Sequence, residues 1–113
     1  MSTKAKTVKE VLIATKYIIE HLDWHQGRKY RAKNGQPLLK LDPNFKKDLA
    51  SVCLLGGLDL VEADSRLITR AEIILRDHCG GYPSGGIVVF NDYPGRTKEE
   101  VIQMLDEVIE AAK

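Results

Sequence analysis

The chain has 113 residues, is 43% hydrophobic and 29% charged, and carries a formal net charge of +1. That is the size of one domain able to bury its own core without disulfides or a structural metal. No apolar run approaches the ~20 residues of a membrane span. The opening "MSTKAKTVKE" lacks the apolar stretch of a secretory signal. With only two cysteines, Cys53 and Cys79, both in apolar contexts that read as helical, the expectation is a cytoplasmic protein with reduced thiols and no membrane partner.

In chain order, Thr7 and Glu10 fit a capping box that opens a first helix. Val8, Val11, Leu12, Thr15, Ile18, Ile19 and Leu22 then share one helical face, and "HLDWHQG" closes the element at Gly27. In "RKYRAKNGQPLLKL", Asn34-Gly35 suits a two-residue type I′ turn joining strands 29–33 and 36–41, with Pro37 confining its strand to an edge. Asp42-Pro43 reads as a cap followed by the first helical position. From there "NFKKDLASVCLLGGLDLVEA" reads as one central helix, almost wholly apolar between Leu49 and Leu58. Gly56 and Gly57 inside it cost about 1 kcal/mol each, so a close backbone approach is expected there. Asp64 or Ser65 caps a third helix carrying Leu67, Ile68, Ala71, Ile74 and Leu75, which stops at Gly80-Gly81. "GGYPSGG" is turn-rich, and "IVVF" reads as a buried strand joining the hairpin. Thr97 and Glu100 form a second capping box for a last helix with Val101, Leu105, Val108, Ile109 and Ala112 inward. The predicted architecture is α+β, four helices packed with a small antiparallel sheet made of the hairpin and one further strand, all in a single domain spanning 1–113.

The net charge conceals a polarity. Residues 28–48 hold seven Lys and Arg against two Asp, a net +5, whereas 98–113 hold two Lys against five acids, a net −3. Either these faces are merely solvated, or face each other, or the basic one meets an anion.

Two loops combine residue types that bind ligands. "NDYPGRT" joins an apolar element to a capped helix; Pro94 and Gly95 suit a stiff joint, while Asn91, Asp92 and Arg96 offer hydrogen bonds and charge. Arg96 can pair with Asp92 across the turn. "WHQGRKYR" sets the flat face of Trp24 beside Gln26 and Arg28, a mix that can stack on and neutralise a nucleotide, or else closes one edge of the core.

Other patterns are weaker. "CGGYPSGG" lacks the Gly-Lys-Ser/Thr ending of a phosphate loop. His21 and His25 have metal-pair spacing but no third ligand, so no metal and no cofactor is expected. Cys53 with His78 would be a thiol and base, but Cys53 sits in an apolar run where a thiol is inert.

Three motifs occur together: W-x-Q-G at Trp24–Gly27, C-L-L-G at Cys53–Gly56, and N-D-x-P-G-R-T at Asn91–Thr97. In this order they resemble an uncharacterised family of small proteins from bacteria and their phages, over roughly Val8 to Ala111. The chain departs from that pattern in having Gly57 where Ala often follows, and Phe90 where Trp often precedes the Asn. The resemblance implies a bacterial or phage setting and brings Trp24, Gln26, Gly27, Asn91, Asp92 and Arg96 forward as a set. With no catalytic constellation placed by spacing, the leading expectation is a non-enzymatic binding protein that occupies a host protein or sequesters a small anionic, nucleotide-like ligand. Its candidate ligand-binding residues are Trp24, Gln26, Arg28, Asn91, Asp92 and Arg96. The alternatives are a nucleic-acid-binding accessory protein using the basic hairpin 28–47, and a small enzyme built on Asp92 and Arg96.

Overall fold

The computed structural model describes residues 4–79 and 86–112, which build a mixed three-stranded sheet and six helices. In order they are α1 (Val8–His21), β1 (Asp23–Trp24), β2 (Tyr30–Ala32), α2 (Phe45–Asp48), β3 (Leu49–Val52), α3 (Leu54–Asp59), α4 (Ser65–His78), α5 (Gly86–Asp92) and α6 (Lys98–Ala111). The α+β class stands, but the sheet and the helix count differ from the expectation. The turn-rich connection expected at 80–85 lies outside the described residues.

Helix α1 runs through the centre. The Thr7 hydroxyl accepts from the Glu10 amide, but the Glu10 carboxylate accepts from Lys6 rather than from the cap residue, so only half of the box closes. Val11, Leu12 and Ile19 have no exposed surface, and this face packs against α3, α4 and α6. Helix α6 carries the complete capping box of Thr97 and Glu100, and buries Val101, Met104, Leu105 and Val108. Helix α4 is capped by Asp64 and turns Ala71 and Leu75 inward, while Ile74 stays exposed. Among the described residues no helix is long and apolar enough to cross a membrane.

The long central helix expected over 44–63 is instead three elements. A single turn of helix, α2, gives way to strand β3, the middle of the sheet, and then Cys53 caps α3. A strand buried on both faces is as continuously apolar as a buried helix, so the run Leu49–Leu58 did not discriminate between them. Strand β3 pairs in parallel with β1 (Asp23 to Ser51, Trp24 to Val52) and antiparallel with β2 (Tyr30 to Val52, Arg31 to Ser51).

The hairpin of 29–33 with 36–41 shrinks to one isolated bridge, Arg31 to Pro37, while the other edge of β2 pairs with β3. Asn34 does not adopt positive φ; Gly35 alone does, at +85°, with its amide donating to Ala32 and the Asn34 side chain accepting from Gln36. This is the geometry of a longer hairpin loop, not of a two-residue I′ turn. Asp42 accepts from the Asn44 amide and so shapes a turn rather than capping a helix.

"IVVF" is not a strand but the body of α5. Helical spacing aims Ile87 and Asn91 inward while Val88 and Val89 stay exposed. A four-residue apolar run is too short to reveal that period. Gly56 and Gly57 do mark close packing. A Cβ on Gly56 would stand 2.4 Å from the Lys29 carbonyl oxygen, and one on Gly57 would stand 3.0 Å from Ile19 Cγ1. Helix α3 thereby lies against both the 27–30 loop and α1.

Candidate functional site

The end of α1 and the end of α5 meet, and Asn91 is where they are fastened. Its side chain is 1% exposed. Oδ1 accepts from the Trp24 indole N–H (2.6 Å) and from the Leu54 amide (2.9 Å), while Nδ2 donates to the His25 carbonyl (3.2 Å) and to Asp92 (2.9 Å). Asp92 Oδ1 also accepts from the Gly27 amide (2.9 Å). Gln26 donates to the Asn91 and Tyr93 carbonyls. An amide suits this post because it offers donors and acceptors on one small head.

The expected site residues are thus brought together, but most are occupied with each other. Trp24 is half-buried, with its N–H committed to Asn91. Arg96 does not pair with Asp92. Its Nε donates to the Phe90 carbonyl at 2.9 Å, its guanidinium lies 3.8 Å from the centre of the Phe90 ring, and its Nη1 is 3.8 Å from Glu100. Arg28 is the exception. It is exposed, and its guanidinium makes no hydrogen bond or ion pair with a described residue.

Beside this junction opens a cleft of about 190 Å³ lined by Gly27, Arg28, Lys29, Cys53, Leu55, Val88, Asn91 and Asp92. A second hollow of about 330 Å³ also takes Arg28 and Lys29 into its wall, so the two cations stand on a ridge between two spaces. Gly27 holds positive φ (+90°) at the bend that turns the chain from β1 to this ridge. Cys53, Leu55 and Val88 form the apolar part of the first cleft, and the sequence reading did not select them for it. The available signal was the spacing from Cys53 to Gly56. The thiol sulfur accepts from the Gly56 amide at 3.4 Å, as a Ser cap would, which marks a helix start rather than a helix interior.

The chemistry within reach is restrained. Burial pushes the Cys53 thiol above its ordinary range, against amide hydrogen bonds that favour the thiolate, so it is protonated at neutral pH. His78 lies elsewhere, against Glu107. Ser51 and His25 do form a hydrogen-bonded pair. His25 Nε2 faces the Arg28 carbonyl at 2.7 Å and must carry the proton, so Nδ1 accepts from the Ser51 hydroxyl. Both residues are buried, at 6% exposure each, and neither lines the two hollows described. Their bond locks β1 to β3. His21 is exposed and bonded to the Tyr17 carbonyl, so the two histidines do different structural jobs.

Burial holds the His25 pKa below its usual 6.5, assisted by Arg31 and opposed by the Arg28 carbonyl bond and Asp92. The unfolded chain therefore takes up this proton at a higher pH than the folded one. Its contribution is complete above about pH 6.5 and declines as pH falls towards the lowered folded value. Urea unfolding between pH 7.5 and 5 should show stability falling over that window, with the slope reduced in a folded His25→Gln variant. Equal slopes would assign the acid sensitivity to other groups.

A family model matches residues 3–111, that of a family of unknown function, DUF6197. The chain belongs to this family. No curated protein and no solved structure matches it. Membership in DUF6197 agrees with the resemblance to an uncharacterised family and leaves the chemistry to be argued from the cleft.

Proposed function

We propose that this DUF6197 protein is a non-enzymatic binding protein, of bacterial or phage origin and cytoplasmic, that holds a small anionic ligand at the Arg28–Lys29 ridge. The supporting observation is the Arg28 guanidinium, unpaired among the described residues and standing between two hollows whose remaining walls are largely apolar. A ligand with a negative group beside a flat or apolar body fits that arrangement, and a nucleotide has that chemistry. Arg28 supplies the charge-assisted contact, with Lys29 released from its 3.7 Å approach to Asp59. Asn91 and Asp92 fix the back wall. Trp24, Gln26 and Arg96 act here as supports of the wall rather than as ligand contacts, since their polar atoms are already bonded. A protonated Cys53 and a buried Ser51–His25 pair favour holding a ligand over transforming one.

Thermal-shift measurements with mononucleotides, cyclic nucleotides and sugar phosphates test this. A ligand present at a hundredfold excess over its Kd stabilises by about 2.7 kcal/mol, a rise of several degrees in Tm. The expected result is such a rise for at least one phosphate compound, abolished by Arg28→Ala, whose exposed side chain can be truncated without unfolding the protein. No shift across the panel contradicts the reading.

A second reading has its own observation. Among the described residues, only Lys29 and Lys40 of the seven cations in 28–48 form ion pairs, both with Asp59. Arg31, Lys33, Lys46 and Lys47 remain available to a phosphate backbone. Binding of single-stranded oligonucleotides that weakens steeply with salt, and further on Arg31→Glu, favours this alternative; its absence at low salt removes it.

A further inference from the structure

The cleft beside the junction carries a carboxylate as well as its cations, and that carboxylate is only half used. Asp92 Oδ1 accepts from the Gly27 amide and from Asn91 Nδ2, both at 2.9 Å. One bond comes from the bend after β1 and the other from the preceding residue of α5, so the carboxylate is held in place. Oδ2 has no partner among the described residues. Arg28 lines the same cleft, yet among the described residues the two opposite charges do not pair with each other. A carboxylate has about four lone-pair sites, so accepting capacity is left for whatever enters.

Helix α5 and the start of α3 give this carboxylate an apolar setting. Val88 stands one turn before Asp92 on α5, and Cys53 and Leu55 complete the apolar wall. At about 190 Å³ the space is smaller than the ~300 Å³ at which pockets for whole drug-sized ligands begin. It suits a single ring system, with the charged remainder of the ligand outside on the Arg28–Lys29 ridge. The entering group must donate to Asp92. An ammonium is disfavoured, because Arg28 and Lys29 line the same cleft and an apolar wall makes its desolvation costly. A neutral N–H edge meets neither objection.

We infer that the cleft is a base pocket selective for guanine, with Asp92 Oδ2 accepting from the base. This rests on the reading of the ridge as an anion seat, and names the nucleotide that such a seat takes. Guanine alone among the common bases presents two adjacent donors, N1–H and the 2-amino group, on one edge. Adenine and cytosine set one amino donor beside a ring-nitrogen acceptor, which a carboxylate repels. Uracil flanks its single N–H with two carbonyls. A carboxylate oxygen fixed by two amides and otherwise unpaired therefore discriminates in favour of guanine, while Arg28 takes the phosphate.

Isothermal titration calorimetry of the folded protein with GMP, IMP, AMP, UMP and ribose 5-phosphate tests it. GMP should bind at least about tenfold tighter than AMP or UMP, the scale of hydrogen bonds to a charged group. IMP, which keeps N1–H but lacks the amino group, should fall between them. This ranking needs no variant. Asp92→Asn keeps an oxygen for Gly27 and Asn91 but turns the free acceptor into a donor. It should weaken GMP about tenfold and strengthen xanthosine monophosphate, which has a carbonyl at the 2 position; a merely structural loss would weaken all nucleotides alike. Arg28→Ala should weaken every phosphate compound without reordering the bases. Equal affinities for GMP, UMP and ribose 5-phosphate overturn the base pocket and leave the anion seat standing. A guanine preference that survives Asp92→Asn, or binding of an apolar amino acid in place of nucleotides, overturns it as well. No binding by any phosphate compound overturns the seat itself, and this inference with it.

Discussion

Asn91→Ala should lower the unfolding free energy by roughly 3–5 kcal/mol, in the range of the most damaging single substitutions. Truncation removes the acceptor shared by Trp24 and Leu54 and the donor to the His25 carbonyl, leaving a buried amide and a buried carbonyl unpaired. Each such orphan costs about 1–3 kcal/mol. Asn91→Asp is the more informative variant. It keeps an oxygen for Trp24 and Leu54 but loses the donor and sets a second carboxylate against Asp92, which Nδ2 now contacts at 2.9 Å. Like charge and burial raise the folded pKa of the new carboxyl above its unfolded value near 3.9. The variant's stability should therefore be nearest the parent's in acid and fall as pH rises through that raised value. Urea unfolding of both variants at two pH values reads this directly, and an Asn91→Ala protein within about 1 kcal/mol of the parent would show that Asn91 is not the fastening point.

Gly56→Ala carries the second large effect. The new methyl would sit 2.4 Å from the Lys29 carbonyl oxygen and 3.1 Å from its carbon, and backbone cannot swing aside as a side chain can. Overpacking of this kind costs about 1–3 kcal/mol and more where the obstacle is rigid, so about 3 kcal/mol or above is expected. Gly57→Ala meets the Ile19 side chain at 3.0 Å and recovers some helix propensity. It should cost clearly less. Because Cys53 donates to that same Lys29 carbonyl at 3.1 Å, the Gly56 variant should also displace the ridge that carries Arg28. Equal losses for the two glycines would mean that α3 can slide away from the 27–30 loop.

What the sequence made legible was local. Thr97 and Glu100 announce α6 because both halves of their box lie within one turn. The stripe of α1 is long enough to show its period: of its expected inward residues Val11, Leu12, Thr15 and Ile19 are buried, and Val8, Ile18 and Leu22 are partly buried. The apolar run through β3 was illegible because what makes it a strand is pairing on both sides, with residues 17 to 28 positions upstream. Helix α5 was illegible for a related reason. Its decisive residue is Asn91, polar in the sequence yet buried, and its partners Trp24, His25 and Leu54 lie 37 to 67 residues away. The same distance separates what was readable in the site from what was not. Aromatic, amide and charged residues in two loops can be recognised as a set. Only geometry reveals that Trp24, Gln26 and Arg96 spend their polar atoms holding the loops together, and that Arg28 does not.

An amide-resolved NMR titration with a mononucleotide is the most direct measurement of whether the Arg28–Lys29 ridge is a ligand seat. The account predicts saturable shifts centred on Gly27 to Tyr30, Cys53 to Leu55, Val88 and Asp92, with α6 silent. Shifts absent at millimolar ligand, or gathered on α4 and α6 instead, would contradict it.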